Sequence, residues 1–272
     1  MPISVVITTY NRPKALRRVL EALFRQGTPP AEIIVADDGS SNETADCIAV
    51  LGENSPCPVR HVWQPDQGFQ AARARNRAVA VATGDYLLFL DGDCLPSPHW
   101  VDRHRQLARP ACLVAGNRIL LSQSLTREVE FTGEVIWQWP LRKWLLARLR
   151  GDINRLLPLV SVSPAGAWRE RRPDQWQGVK TCNLGLWKKD FVRINGFDES
   201  YHGWGHEDAD LAVRLFKAGV KRRDGRYAVP VLHLWHREQD RSREAENRGR
   251  LEQRIQSASR LIRAEKGLDQ YL

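Results

Sequence analysis

Up to residue 95, apolar residues come in short β-branched runs, separated by stretches with helical spacing. Residues 3–8 form one such run and predict a buried strand. Pro13 then opens a helical stretch in which Leu16, Val19, Leu20 and Leu23 share one face. Residues 32–37 predict a second strand, and Ser40 or Ser41 caps a helix running to Leu51. Residues 59–64 predict a third strand, and the Ala-rich stretch 68–82 a third helix. Residues 86–90 are apolar throughout, as a central parallel strand should be. Strands alternating with helices dictate βαβ units with right-handed crossovers. The expected class is α/β, with an open, mostly parallel sheet flanked by helices.

Beyond residue 95 the pattern loosens. A helix is expected at 96–108 and a strand at 113–121, but residues 122–180 show no clear period. They hold five Trp, at 137, 139, 144, 168 and 176, among clustered Arg and Lys. Order returns with a strand at 183–187, helices at 188–194 and 207–218, and a strand at 227–234. Residues 238–266 predict a charged helical tail. With no repeat and no low-complexity linker, the division is one two-part domain over 1–236 followed by a tail over 237–272. Within the domain, 1–120 and 181–236 flank a variable, basic, Trp-rich insertion at 121–180.

Charge changes the picture. Lys and Arg number 41 against 32 Asp and Glu, a net charge of +9 that favours a polyanionic partner: nucleic acid, an anionic membrane or a phosphorylated substrate. The five cysteines include no C-x-x-C pair, which excludes a zinc ribbon and a disulfide framework and favours a reducing compartment. The chain runs straight from Met1 into a strand, without a secretory signal or an apolar stretch long enough to span a membrane. The expectation is a cytoplasmic protein, soluble or peripherally bound.

Three predicted strands end in polar residues: Thr8-Thr9-Tyr10-Asn11, Asp37-Asp38-Gly39-Ser40-Ser41 and Asp91-Gly92-Asp93. In an open parallel sheet these ends share one edge, where ligands bind. Each loop alone can be a turn or a helix cap; three together argue for a site. Two carboxylates one residue apart suit a hard divalent cation such as Mg2+ or Mn2+, which completes its shell with water and phosphate oxygens. No P-loop and no G-x-G-x-x-G after a strand occurs, which disfavours a P-loop NTPase or a dinucleotide enzyme.

Four segments, residues 4–12 (SVVITTYNR), 35–41 (VADDGSS), 68–76 (GFQAARARN) and 90–93 (LDGD), follow in an order and spacing that resembles the inverting family-2 glycosyltransferases of the GT-A fold. Residues 181–185 (TCNLG), 195–199 (NGFDE) and 203–210 (GWGHEDAD) extend the likeness. The last is similar to the W-G-x-E-D segment of chondroitin-polymerase, β4-galactosyltransferase and polypeptide N-acetylgalactosaminyltransferase enzymes. The resemblance covers about 1–120 and 180–236.

The resemblance implies roles. Thr8, Tyr10 and Asp38, with Asn11 beside them, would serve the nucleotide, Asp38 accepting from a uracil N–H. Arg75 falls at the nucleotide-side basic position. Asp91 would bond ribose or sugar. Asp93 would hold the divalent cation, joined by His233 or His236, with His233 favoured. Asp208 would be the catalytic base and Glu207 would hold acceptor or sugar, although acidic residues at a helix start also serve the helix dipole. Trp204 is a sugar platform or a core residue; Asn183 is an acceptor-side residue or a strand-end hydrogen bonder. His206 replaces a glycine found in some relatives.

The implied activity is transfer from a UDP-sugar to a hydroxyl of a glycan or glycolipid, in bacterial polysaccharide or lipopolysaccharide synthesis, with no nucleic acid expected. A nucleotidyltransferase and a basic nucleic-acid-binding protein are the alternatives. Residues 137–150 carry three Trp, four Leu and four Lys or Arg without an acid. They predict either an interfacial helix on an anionic bilayer or a packed helix with its basic face in water. The tail mixes charge signs and reads as a solvated helix.

Overall fold

The computed structural model describes residues 1–160, 162–257 and 262–272. Elements run β1 (Ile3–Thr9), α1 (Pro13–Phe24), β2 (Glu32–Asp37), α2 (Asn42–Gly52), β3 (Val59–Trp63), α3 (Ala71–Ala80), β4 (Tyr86–Asp91) and β5 (Cys94–Pro96). Then come α4 (Trp100–Leu107), β6 (Cys112–Ala115), β7 (Asn117–Leu120), α5 (Gln123–Thr132), α6 (Leu141–Leu149) and β8 (Asn183–Trp187). The chain ends with α7 (Lys188–Arg193), α8 (Glu207–Lys217), β9 (Lys221–Asp224), β10 (Pro230–His233) and α9 (Glu244–Gln256).

A seven-stranded sheet is ordered β3-β2-β1-β4-β8-β6-β9. Its first four strands are parallel, β8 runs antiparallel to β4 and β6, and β9 is parallel to β6. Alternate residues of each central strand serve opposite faces. Val5, Ile7, Leu88 and Leu90 pack with Leu16 and Leu20 of α1. Val6, Ile34, Leu87 and Phe89 pack with Ala74 and Ala78 of α3, whose small residues let the helix lie close. Burial on both faces is why these strands carry continuous apolar runs.

The expected strand at 113–121 is two strands. It breaks at Gly116, where an added Cβ would fall on the Asn183 amide, so β6 joins the large sheet and β7 enters a small β5-β10-β7 sheet. The 137–150 helix is also shorter: Ile136–Gln138 is a 3-10 turn, and Pro140, which lacks an N–H, precedes α6. The tail departs furthest from expectation. Residues 237–243 are not helical, and α9 packs on α8 through buried Asn247 and Leu251 instead of standing in solvent. Arg254 reaches Asp198 and Asp210, and buried Leu268 closes the chain against α3. Residues 258–261 of the expected tail helix lie outside the described residues. No helix among the described residues is long and apolar enough to cross a membrane.

Candidate active site

Strand register assembles the site. Thr8 pairs with Asp91 across β1–β4 and with Ala36 across β1–β2, so the loops after β1, β2 and β4 open on one edge. Strand order reverses at β1, the switch point where open α/β sheets take ligands. Because β8 is antiparallel, with Asn183 opposite Leu90, its start brings Thr181 and Cys182 to the same edge. A cavity of about 690 Å³ lies there. Thr8, Tyr10, Asp38, Arg75, Asp91, Asp93, Trp204, Glu207, Asp208 and His233 all line it.

Arg75 is the hub. Its Nε donates to Thr8 Oγ1 at 2.9 Å, Nη2 to Asp91 Oδ1 at 3.3 Å and Nη1 to Glu207 Oε1 at 3.3 Å. Asp208 Oδ1 lies 3.7 Å from the same Nη1. One buried guanidinium therefore joins the strand-end loops of the first half to the carboxylates opening α8. Burial pushes the Asp91 carboxyl up to about 6, against the pull of Arg75. Burial and the neighbouring Asp208 charge push Glu207 up to about 7.

The two α8 carboxylates are held differently. Glu207 faces Arg75. Asp208 accepts from Thr181 twice, from Oγ1 at 2.6 Å and from the backbone N–H at 3.2 Å, which fixes its orientation while its side chain stays more exposed than that of Glu207. Three residues of the preceding loop are left-handed: Gly203, Gly205 and His206 have φ of 74°, 109° and 73°. His206 thus accepts a backbone conformation that favours glycine, which explains the glycine of some relatives at this place.

Asp38 is buried at the other end. It accepts from the Gln70 backbone N–H at 2.8 Å and from Gln64 Nε2 at 2.7 Å, and burial pushes its carboxyl up to about 6. Tyr10 is exposed, its hydroxyl donating to Asp66 at 2.8 Å. Arg12, His233 and His236 approach the Asp93 carboxylate. Arg12 Nη1 donates to Oδ2 at 2.9 Å, His233 Nε2 lies 3.7 Å from Oδ1, and His236 Nε2 lies 3.6 Å from Oδ2. Both histidines offered by the sequence therefore flank Asp93. Burial holds His233 down at about 4, so its ring is neutral at physiological pH. Cys94 Sγ is 3.6 Å from Asp93 Oδ1 on the buried side.

Two predicted residues do not face the cavity. Asn183 is buried and its amide is spent: Nδ2 donates to the Asn117 and Val229 carbonyls, while Oδ1 lies within bonding distance of Trp100 Nε1 and His104 Nε2. It joins the two sheets and has no group left for an acceptor, so its acceptor-side reading gives way to the strand-end one. Asn11, at φ 48°, accepts from the Ser41 N–H and ties the β1 loop to the β2 loop. Trp204 lines the cavity with the Arg241 guanidinium stacked 4.6 Å from its ring centre. Sequence reading missed Arg12, Arg118 and Thr181. Arg118 lines the cavity, and its guanidinium is 3.9 Å from Cys182 Sγ.

Comparison with known proteins shows the family. The family model "Glycosyl transferase family 2" matches residues 4–174. The chain belongs to glycosyl transferase family 2. A second model, "N-terminal domain of galactosyltransferase", matches residues 168–236, the part that contributes Glu207 and Asp208. A validoxylamine A glucosyltransferase of Streptomyces hygroscopicus subsp. limoneus is 32% identical over 239 residues, covering 80% of this chain and 48% of the relative. The Escherichia coli chondroitin synthase is 29% identical, with coverage of 80% and 32%. The chain thus spans about half the length, or less, of these curated relatives. A mannosyltransferase from Pyrobaculum calidifontis in complex with GDP-Man and Mn2+ superimposes with a TM-score of 0.58 at 17% identity, covering 93% of this chain and 62% of that one. That likeness shows the GT-A fold. Family membership sets aside the nucleotidyltransferase and nucleic-acid-binding alternatives.

Proposed function

We propose that this chain transfers a sugar from a nucleotide-sugar, with UDP as carrier, to a hydroxyl of a glycan or glycolipid, inverting the anomeric centre. The reading rests on one observation: a single cavity holds the strand-end carboxylates Asp91 and Asp93 and the α8 carboxylates Glu207 and Asp208, with Arg75 between them.

Thr8, Tyr10 and Asp38 would hold the uridine, Asp38 accepting from the uracil N–H, and Asp91 the ribose or sugar. Asp93, His233 and His236 would hold a divalent cation. Carboxylate and neutral imidazole fit such an ion, and two imidazoles tilt the preference from Mg2+ towards Mn2+. When bound, the cation would supply positive charge against the leaving diphosphate. Arg118 faces the same region, near enough to Asp91 for the two charges to attract. Asp208, aligned by Thr181, takes the proton from the acceptor hydroxyl as its oxygen attacks the anomeric carbon and the bond to the diphosphate breaks. Glu207 is turned to Arg75 and more buried than Asp208, which leaves Asp208 the carboxylate better placed to meet the acceptor. Trp204 offers a platform for the acceptor sugar.

Relatives named as chondroitin and hyaluronan synthases support a place in polysaccharide synthesis, with bacterial surface polysaccharide or lipopolysaccharide as the product class. The proposed setting is the cytoplasm, in peripheral contact with the inner face of the cell membrane.

A thermal-shift panel of nucleotide-sugars with Mn2+ tests the reading. A UDP-sugar at a hundred times its Kd should stabilise the protein by about 2.7 kcal/mol. Asp93→Ala should keep the melting temperature of the free protein and lose the Mn2+-dependent part of that shift. A shift of equal size in Asp93→Ala would remove this residue from the cation site.

A further inference from the structure

Helix α6 is turned inside out relative to an ordinary surface helix. Trp144 and Ala147 are buried, and they mark its inward side. At 100° per residue, Leu145, Leu149, Arg142 and Leu146 fall on an arc of about 100° on the opposite side. Leu149 is 82% exposed, Leu141 70%, Leu146 50% and Leu145 45%. The outward face of a soluble domain's helix normally carries polar residues; here it carries three leucines, with a fourth, Leu141, exposed beside it.

The three tryptophans of this segment do not add to that face. Trp137 and Trp139 pack against the core, and their rings lie 6.3 and 5.1 Å from that of Trp144. Lys143 is also engaged, bonded to Glu134 at 2.6 Å and set over the Trp139 ring. What remains outward is leucine and arginine. Arg142, Arg148 and Arg150 are exposed and have no ion-pair partner among the described residues. The helix contains no acidic residue.

We infer that the outward face of α6 is a docking surface for an anionic lipid bilayer. Charge complementarity selects that occupant. Leucines enter the headgroup boundary while guanidiniums on the same arc and its flanks meet lipid phosphates. A second copy of the chain would set the three unpaired arginines against their own counterparts. Nine residues make a helix of about 14 Å, too short to span the hydrocarbon core, so it lies in the interface. The chain leaving α6 pairs Ile153 with Leu121, a wall residue of the cavity. Docking by α6 therefore brings the cavity next to the membrane, which suits an acceptor held on a lipid. That advantage rests on the glycosyl-transfer reading; the docking does not.

Flotation with phosphatidylglycerol-containing vesicles, against phosphatidylcholine alone, tests the inference. Wild type should float with the anionic vesicles only, less so as salt rises. Replacing Arg142, Arg148 and Arg150 by Ser should weaken partitioning roughly a hundredfold. The pair Leu145→Ser and Leu149→Ser should weaken it at least about tenfold without touching charge. None of the five lines the cavity, so Mn2+-dependent UDP binding should be unchanged in both variants; its absence from wild type would count against the glycosyl-transfer reading alone. Wild type that ignores anionic vesicles at low salt, or variants that float equally well, overturns the docking surface. So does a wild-type dimer in solution that Leu149→Ser converts to a monomer, since a second copy would then cover the face.

Discussion

Asp208→Asn should lower turnover on a genuine acceptor by at least ~10²-fold, the lower end for loss of a general base, while leaving donor affinity near that of wild type. The amide keeps the volume of the carboxylate and a carbonyl oxygen for the Thr181 hydroxyl, which donates to Asp208 Oδ1 at 2.6 Å. It cannot take a proton from the acceptor. The split matters more than the size: kcat falls, and the affinity for UDP, measured by calorimetry with Mn2+ present, does not. Glu207→Gln is the contrast. It disturbs the contact with Arg75 and should change donor affinity as well as turnover. A Glu207→Gln variant with the pure kcat defect, beside an active Asp208→Asn, would exchange the two roles.

Arg75→Met should cost about 3–5 kcal/mol of stability near neutral pH, the range for removing one partner of a buried ionic cluster. The guanidinium side chain is 5% exposed, and Asp91, Glu207 and Asp208 all lie within 3.7 Å of it. Without it, three carboxylates of the cavity wall face one another with no guanidinium between them. The pH dependence follows from the sign of the shifts. Asp91 and Glu207 already stand at about 6 and about 7, and losing the cation raises both further. The folded variant then takes up protons that the unfolded chain, with ordinary carboxylates, does not. Its stability rises as pH falls from neutral towards ~5, and its deficit against wild type shrinks. Urea unfolding in mildly alkaline and mildly acidic buffer measures this. A deficit that stays constant with pH would mean that Arg75 acts through packing, on Phe197 for instance, whose ring lies 5.4 Å away.

The parts of the chain that were legible are those where local pattern and burial agree. The strand at 32–37 falls where its apolar run puts it, and β1 and β4 each extend one residue beyond theirs. All three lie between two helical layers, which demands unbroken apolar runs. The helix at 68–82 shrinks to Ala71–Ala80 because Gly68 is left-handed and the Gln70 N–H is given to Asp38 instead of to a helical turn. Residues 122–180 stay opaque because distant bonds hold them. Arg169 is buried and donates to the carbonyls of Asp224 and Arg226, which no spacing in the sequence reveals.

The site divides along the same line. Carboxylates at strand ends and at a helix start announce themselves. Arg12 did not, because it stands at the N-cap of α1, yet it reaches across to Asp93 and Glu130. Asn183 carried a motif whose spacing was right and whose side chain turned out to be consumed by the joint between the sheets.

The proposed transfer requires this cavity to break the glycosidic bond of a nucleotide-sugar with inversion. Following the anomeric carbon by NMR, with UDP-sugars, Mn2+ and either water or a glycan hydroxyl as acceptor, tests that most directly. UDP release should stop when a chelator is added, and an α-linked donor should give the β product first. Release of an α product, or release unaffected by the chelator, would overturn metal-dependent inverting transfer.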